Sequence, residues 1–453
     1  MPHAYVIIFI MTVITAILAN IIPAGTFDRV EDASGNSVVV ADSFHHVDKI
    51  GCSIFDMFIS FQIGFEDSAQ IIFFIIFAYA FVYVLLKNGT FDALVGSVLR
   101  KVGNRIELII PVCMILFGLL GSTMGMFEET YGLIPVFISI AMALGYDAIV
   151  GGSVIYLGVA VGFAAATINP FTIGIAQEVA GVKMFSGLGY RILCFVVFMG
   201  ISIWYVWRYA RRIQKDPTKS YLYGEKIETL ECASREEMME IKMTTTHKLS
   251  CLLFVFTIGI LLYGTIKLGW YIDEIATLFI IMTIVSGLVS RFTPSEIADI
   301  FIEASKEMMY GALLVGISRS IAVIMENAQI IDTVVYWLAT MLQHFRGMAS
   351  AMGMLFAQNI INFFIPSGAG QALITMPILA PVGEMVGVSR QVSVLAYQFG
   401  DGFSNIFWPT SVFMMCGIMR LPINKWYRFV TPLFLIIFAA SIVLLGAAVV
   451  IGY

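Results

Sequence analysis

The chain has 453 residues, 59% of them hydrophobic and 13% charged, with a formal net charge of −5 and a mean hydropathy of +0.90. Soluble domains carry about 25% charged residues, so an ordinary soluble fold is excluded, and with no basic stripe a nucleic-acid partner is not expected. The six cysteines (Cys52, Cys113, Cys194, Cys232, Cys251 and Cys416) are scattered, mostly through apolar segments and without metal-ligand spacing. They read as free thiols acting as small apolar side chains.

Residues 4–23 form the first apolar span and run into Pro23, Ala24 and Gly25. No small-residue cleavage site follows, so a retained helix fits better than a signal peptide. The loop at 24–68 holds Asp28, Glu31, Asp32, Asp42, Asp48, Asp56, Glu66 and Asp67 against only Arg29 and Lys49. Span 69–87 follows, then a hairpin at 107–143, a span at 148–178 broken near its middle, and a span at 190–209. The segment 211–248 is rich in Lys and Arg, including Arg211, Arg212, Lys215, Lys219, Lys226 and Arg235. Beyond it come spans 249–268 and 274–290, then 304–325, a hairpin at 349–386, a broken span at 391–418, and a last span at 427–451. The hairpins are pairs of apolar runs too short to cross a bilayer comfortably, as re-entrant segments are.

Basic residues favour the cytoplasmic side. The acidic loop 24–68 is therefore expected outside and the basic loop 211–248 inside, with the N-terminus cytoplasmic and the C-terminus external. This topology divides the chain into 1–68 (first helix and external loop), 69–210 (repeat one), 211–248 (cytoplasmic loop), 249–303 (two scaffold helices) and 304–453 (repeat two). Asn88 and Asp92 follow the first span of one repeat, and Asn327 and Asp332 follow that of the other. The expected fold is an all-α polytopic membrane protein of two inverted repeats, each with a re-entrant hairpin and a broken transmembrane helix. Secondary transporters are commonly built this way, with substrate held where the repeats meet.

The interruptions carry the chemistry. Irregular backbone at membrane depth is tolerated only inside protein or along a water-filled cavity, and half-helix N-termini attract carboxylates. The first tip offers Gly121, Ser122, Thr123, Met124 and Gly125, and the second Pro366, Ser367, Gly368, Ala369, Gly370 and Gln371. The breaks add Asn169 and Pro170 in one span, and Asp401, Ser404, Asn405, Pro409, Thr410 and Ser411 in the other. Hydroxyls and amides can both donate and accept, so substrate or ion contact is expected at these positions. Intramembrane charges are functional candidates by default. Glu128 and Glu129 lie just beyond the first tip and Asp401 in the second break; they are candidates to bind a cationic substrate group, Na⁺ or a proton. Arg319 and Glu326, seven residues apart on one helix face, read as a structural pair. The histidines (His3, His45, His46, His247 and His344) all lie in loops or near ends, so no histidine relay is expected.

The stretches MPHAYVIIF, IIPAGTFDR, GFAAATINPFTIGIAQ (162–177), FIPSGAGQALITMPILAP (364–381) and FGDGFSNIFWPTS (399–411) closely resemble the YfcC-type proteins of the C4-dicarboxylate anaerobic carrier family, within the ion transporter superfamily. The resemblance covers essentially the whole chain. It implies the two-hairpin inverted-repeat fold, a site at the tips and broken helices, and a homodimer; some relatives exchange arginine for ornithine and others carry dicarboxylates. Two features depart from the family pattern. The chain starts at Met1-Pro2-His3 instead of a longer basic tail. Phe407 and Trp408 stand before Pro409 where aliphatic residues are expected, and Trp408 is expected to narrow the cavity or stack on a guanidinium.

The resulting expectation is a multi-pass inner-membrane secondary transporter, not an enzyme, that exchanges small amino acids by alternating access, basic ones before others. The alternative is a C4-dicarboxylate or other small-carboxylate carrier coupled to Na⁺ or H⁺. No organic cofactor, resident metal or catalytic residue is expected beyond a coupling ion, and the partners are a small-molecule substrate and the lipid bilayer. Two other classes fit less well. Tyr146-Asp147 and Gly400-Asp401 loosely match the paired aspartates of intramembrane proteases, but Gln398 stands where that motif needs glycine. A passive channel needs a continuous pore lined by rings of like groups, which opposed hairpins do not provide.

Overall fold

The computed structural model describes residues 4–31, 37–40, 42–102, 108–225, 240–270 and 272–453. Met1, Pro2, His3, Asp32, Lys226, Cys232 and Arg235, used in the reading above, lie outside the described residues.

Helix α1 (Ala4–Ile21) leads into a segment with two short antiparallel strand pairs. A run of helices follows: α2 (Ile54–Lys87), α3 (Thr90–Val102), α4 (Ile109–Met124), α5 (Ile134–Ala143), α6 (Ala148–Ala164), α7 (Ile175–Val179) and α8 (Leu188–Lys215). After α9 (Thr245–Tyr263) and α10 (Ile272–Val289), the same order of long, short, hairpin, broken and long elements recurs. It comprises α11 (Pro294–Asn327), α12 (Ile331–Leu342), α13 (Met348–Phe364), α14 (Gly368–Met385), α15 (Arg390–Ser404), α16 (Pro409–Ile418) and α17 (Ile423–Ile451). Corresponding members match in length: α2 and α11 each have 34 residues, and α8 and α17 have 28 and 29. Helices α2, α8, α10, α11 and α17 are long and apolar enough to cross a membrane.

Two helices begin earlier than their apolar runs. Residues 54–68, assigned above to a loop, are the first turns of α2, and 294–303 are the first turns of α11. Both starts are capping boxes. Ser53 Oγ accepts the Asp56 N–H at 3.1 Å while Asp56 accepts the Ser53 N–H at 2.9 Å, and Thr293 pairs with Glu296 in the same way, with Pro294 at the first helical position. These contacts satisfy amides that would otherwise lack partners and fix where the helices start, so both extend N-terminal to the spans read from hydropathy.

Helices α2 and α11 pack along each other as a central pair. At Gly64 a Cβ would lie 2.6 Å from the Gly316 carbonyl oxygen, so small residues permit close contact of the two backbones. The hairpin α4–α5 packs on α6, and α13–α14 packs on α15. The two broken helices meet at Ala164 and Gly402, where any Cβ on Gly402 would overlap Ala164. Both are wrapped on every side, with nearly all of α6 and α15 buried; α6 is apolar all round, as such burial favours, whereas α15 brings polar side chains into the interior. The segment before α2 is held to α12 by Arg29, which bonds both carboxylate oxygens of the buried Asp332 at 2.9 Å, and by Phe44 stacking on Tyr336 at 4.1 Å.

Candidate functional site

The first hairpin turns at the C-terminus of α4. Gly125 caps the helix at φ 68°, its N–H donating to the Gly121 carbonyl at 3.2 Å. This left-handed turn suits glycine, and a side chain there would also overlap the Asn169 amide. Ser122 faces inward. Its hydroxyl donates to the Ala165 carbonyl at 3.2 Å and lies 3.0 Å from Thr167 Oγ1, while its own carbonyl accepts the Thr167 N–H at 2.9 Å. Ser122 thus ties the tip to the unwound stretch after α6. The Thr123 hydroxyl donates back to Leu119 O at 2.7 Å. Asn169 Oδ1 accepts the Phe171 N–H at 2.9 Å and starts a π-helical turn over Pro170–Gly174. Beyond the tip, a 3-10 turn (Glu128–Leu133) presents both glutamates, with Glu129 Oε2 accepting the Phe127 N–H at 2.9 Å.

The second tip begins α14. Ser367 Oγ accepts the Gly370 N–H at 3.2 Å as the helix cap, and the Gly368 carbonyl accepts the Tyr397 hydroxyl at 2.6 Å. A Cβ on Gly368 would sit 2.7 Å from Thr172 Cγ2 and 3.2 Å from Asp401 Oδ2, so this tip reaches both breaks. Gln371 is fully buried, and its Nε2 donates to the Gln358 carbonyl at 2.8 Å and to Gln358 Oε1 at 2.6 Å, joining the two arms of the hairpin. In the second break the Asp401 carbonyl accepts from the Ser404 hydroxyl at 2.7 Å, from Asn405 Nδ2 at 3.0 Å and from Asn362 Nδ2. Asn362 also donates to Ser404 Oγ at 2.6 Å. Asn405 Oδ1 accepts the Ser411 hydroxyl at 3.1 Å.

Both tips and both breaks open on one cavity of about 540 Å³, a volume suited to a small organic molecule. Of the residues singled out from sequence, Glu128, Glu129, Ser367, Gly368, Asn405, Thr410 and Ser411 line it. Ser122, Thr123, Asn169, Gly370, Gln371, Asp401 and Ser404 stand behind the wall in the contacts described above. Trp408 does not line the cavity either. Its indole N–H donates to Asn359 O at 2.7 Å and its ring meets Phe363 edge-on at 5.4 Å, so it anchors the second break to α13 rather than narrowing the space or meeting cargo.

The central pair contributes what sequence reasoning missed. Arg319 lies in the cavity wall with Asp67 and Ser318, and Trp270 adds an aromatic surface. The Arg319 guanidinium bridges Glu326 at 3.1 Å, as their spacing indicates, and also Asp67 at 3.3 Å. Asp67 had been counted among loop acids; the capping box of α2 was the signal that could have placed it on a helix.

The sequence pattern of the family described as DcuC, C4-dicarboxylate anaerobic carrier, matches residues 1–450. The chain belongs to the C4-dicarboxylate anaerobic carrier family. It is 31% identical over 496 residues to an Escherichia coli (strain K12) protein named "Putative basic amino acid antiporter YfcC", covering 100% of this chain and 97% of that one. It is 27% identical over 399 residues to an uncharacterized protein of Haemophilus influenzae (strain ATCC 51907 / DSM 11121 / KW20 / Rd), covering 87% and 78% of the two chains. Among solved structures it is similar to the Alcanivorax borkumensis YdaH transporter, at 15% identity and a TM-score of 0.45 over 100% of this chain and 99% of that one. It is also similar to Neisseria gonorrhoeae MtrF, described with a class of antimetabolite efflux pumps, at 18% identity and a TM-score of 0.43 over 99% and 95%. The protein is a multi-pass membrane transporter, a carrier rather than an enzyme.

Proposed function

We propose that this carrier is an antiporter of basic amino acids, of the arginine/ornithine kind, working by alternating access. The observation that carries the reading is the charge of the cavity wall: the carboxylates of Asp67, Glu128 and Glu129 face one guanidinium, that of Arg319. A basic amino acid brings one carboxylate and two cationic groups. Its carboxylate suits the N-termini of α14 and α16, where Gly368, Thr410 and Ser411 line the cavity and helix-end amides favour anions. Its side-chain cation suits Glu128 and Glu129.

In this reading the hairpins and broken helices move against the α2–α11 pair, and the repeats are inverted, with the N-terminus cytoplasmic and the C-terminus external. The protein sits in the inner membrane as a homodimer. A coupling cation, H⁺ or Na⁺, belongs to the same scheme.

The second reading, a C4-dicarboxylate carrier, is favoured by the family's name. It requires two anion sites beside three cavity carboxylates, which works against it. Labelled arginine uptake into proteoliposomes preloaded with ornithine, preloaded with succinate, or empty separates the two. Uptake stimulated by internal ornithine alone is expected. Absence of arginine uptake in every condition would transfer the assignment to carboxylates.

A further inference from the structure

Asp401 differs from the other acids packed inside this fold. It is 1% exposed, and neither carboxylate oxygen has a hydrogen-bond partner among the described residues. Glu128 and Glu129 open on the cavity, Asp332 holds Arg29, and Glu307 accepts from Tyr79 and pairs with Arg420. An ionised carboxylate left unpaired in a dry interior is among the costliest groups a protein can bury. Within membranes such residues mark ion or proton routes.

Among the described residues, no cation is paired with Asp401. On its own helix Tyr397 lies one turn away, its hydroxyl given to Gly368 O. From α13 the amides of Gln358, Asn359 and Asn362 are bound to Thr375, the Gly400 carbonyl and the Asp401 carbonyl. Helix α6 contributes Phe163 and Ala164, and α14 the backbone of Gly368. On α17 the Tyr427 hydroxyl donates to Phe407 O. Arg390, which reaches Ala180 at the end of α7 near Glu178, and the buried Arg191 of α8, which donates to Gln391 Oε1 at 3.4 Å, both sit at the far end of α15, about 15 Å of helix away. Thr172, from the first break, crowds the same face of Gly368 that Asp401 does, and its buried hydroxyl oxygen also lacks a hydrogen-bond partner among the described residues.

We infer that Asp401 is a proton-binding site, filled while the second hairpin tip is seated over it and emptied into the cavity when the tip moves away. The geometry favours a proton over Na⁺. A sodium ion needs several oxygen ligands, yet the nearby Gly368 and Asp401 carbonyls are already engaged by hydroxyl and amide donors. A proton needs one oxygen, and the Thr172 hydroxyl, unpartnered among the described residues, belongs to a side chain that flanks the same glycine as the acid. The route out is short, because Gly368, which lies against Asp401, is itself part of the cavity wall. With the acid neutral, the tip closes over an uncharged group, which costs far less to bury. With the acid ionised, closure buries a bare charge, so the proton acts as the latch of this hairpin. This rests on the reading that the hairpin moves during transport.

The test is infrared difference spectroscopy on the full-length protein in detergent at neutral pH, wild type against Asp401→Asn, each with and without Na⁺. A protonated-acid C=O band present in the wild type, lost in Asp401→Asn and indifferent to Na⁺ is expected. Wild type grown on isotope-labelled aspartate, and the Asp401→Glu variant, should each shift the band, which keeps the assignment testable if the asparagine variant does not fold. Absence of an aspartate-dependent acid band at neutral pH, or its disappearance on adding Na⁺, overturns the proposal. The measurement reads the acid and not the cargo, so its failure is distinct from failure of the amino acid assignment.

Discussion

Removing a cavity carboxylate without changing its shape tests the charge argument directly. Glu128→Gln and Glu129→Gln each delete one of the three acids facing Arg319. A unit charge pair about 5 Å apart at an effective dielectric of about 20 interacts by about 3 kcal/mol, and a hydrogen bond to a charged group contributes about 1.5–3 kcal/mol net. The expected loss is therefore roughly ten- to a hundredfold in apparent affinity for arginine. Glu129 spends one oxygen on the Phe127 N–H at 2.9 Å, a bond that a glutamine carbonyl can keep, whereas no side-chain hydrogen bond ties down Glu128 among the described residues. The larger loss is expected for Glu128→Gln. The assay is proteoliposome exchange with arginine and with citrulline, which has nearly the same shape but no side-chain charge. The reasoning predicts that arginine suffers selectively. Equal losses for both ligands, or unchanged arginine exchange in Glu128→Gln, would refute it.

Three further outcomes are expected. Replacing Ser367 with Phe fills the cavity beside the second tip, and Asn405→Leu removes both of its side-chain bonds across the second break; both should abolish exchange while the protein still elutes as a folded species, and intact transport in both would dismiss this cavity as the site. Ser122→Ala removes contacts to Ala165 and Thr167, at about 0.6–1.5 kcal/mol per bond, so the melting temperature in detergent should fall by a few degrees; an unchanged value would show that Ser122 does not hold the first tip to its break. Arg29→Ala leaves the buried Asp332 with the Phe27 N–H and the Thr26 hydroxyl as its donors among the described residues, a loss of about 1–3 kcal/mol, and hydrogen exchange should quicken in the segment before α2, with partial recovery when Asp332→Asn is added.

Much of this protein can be read along the chain, because membrane-spanning helices, re-entrant arms and breaks are each written in a short window of residues. Apolar runs mark the helices, and the glycines and prolines at 121–125, 366–370 and 400–409 mark where they turn. The starts of α2 and α11 were legible too, in the Ser53/Asp56 and Thr293/Glu296 spacings, but hydropathy does not register a capping box. What each polar group does was decided by tertiary structure. The Ser122 hydroxyl and the Gln371 amide nitrogen look like ligand groups in sequence, yet they bond a neighbouring break and the facing arm. Asp67 and Arg319, 252 residues apart, meet in the cavity wall because α2 and α11 cross at Gly64 and Gly316. Sequence determined which residues are polar and roughly how deep they lie. Which of them meet each other, the cavity or nothing at all depends on contacts between distant segments, because a hydrogen bond is made only with whatever partner packing brings within about 3 Å.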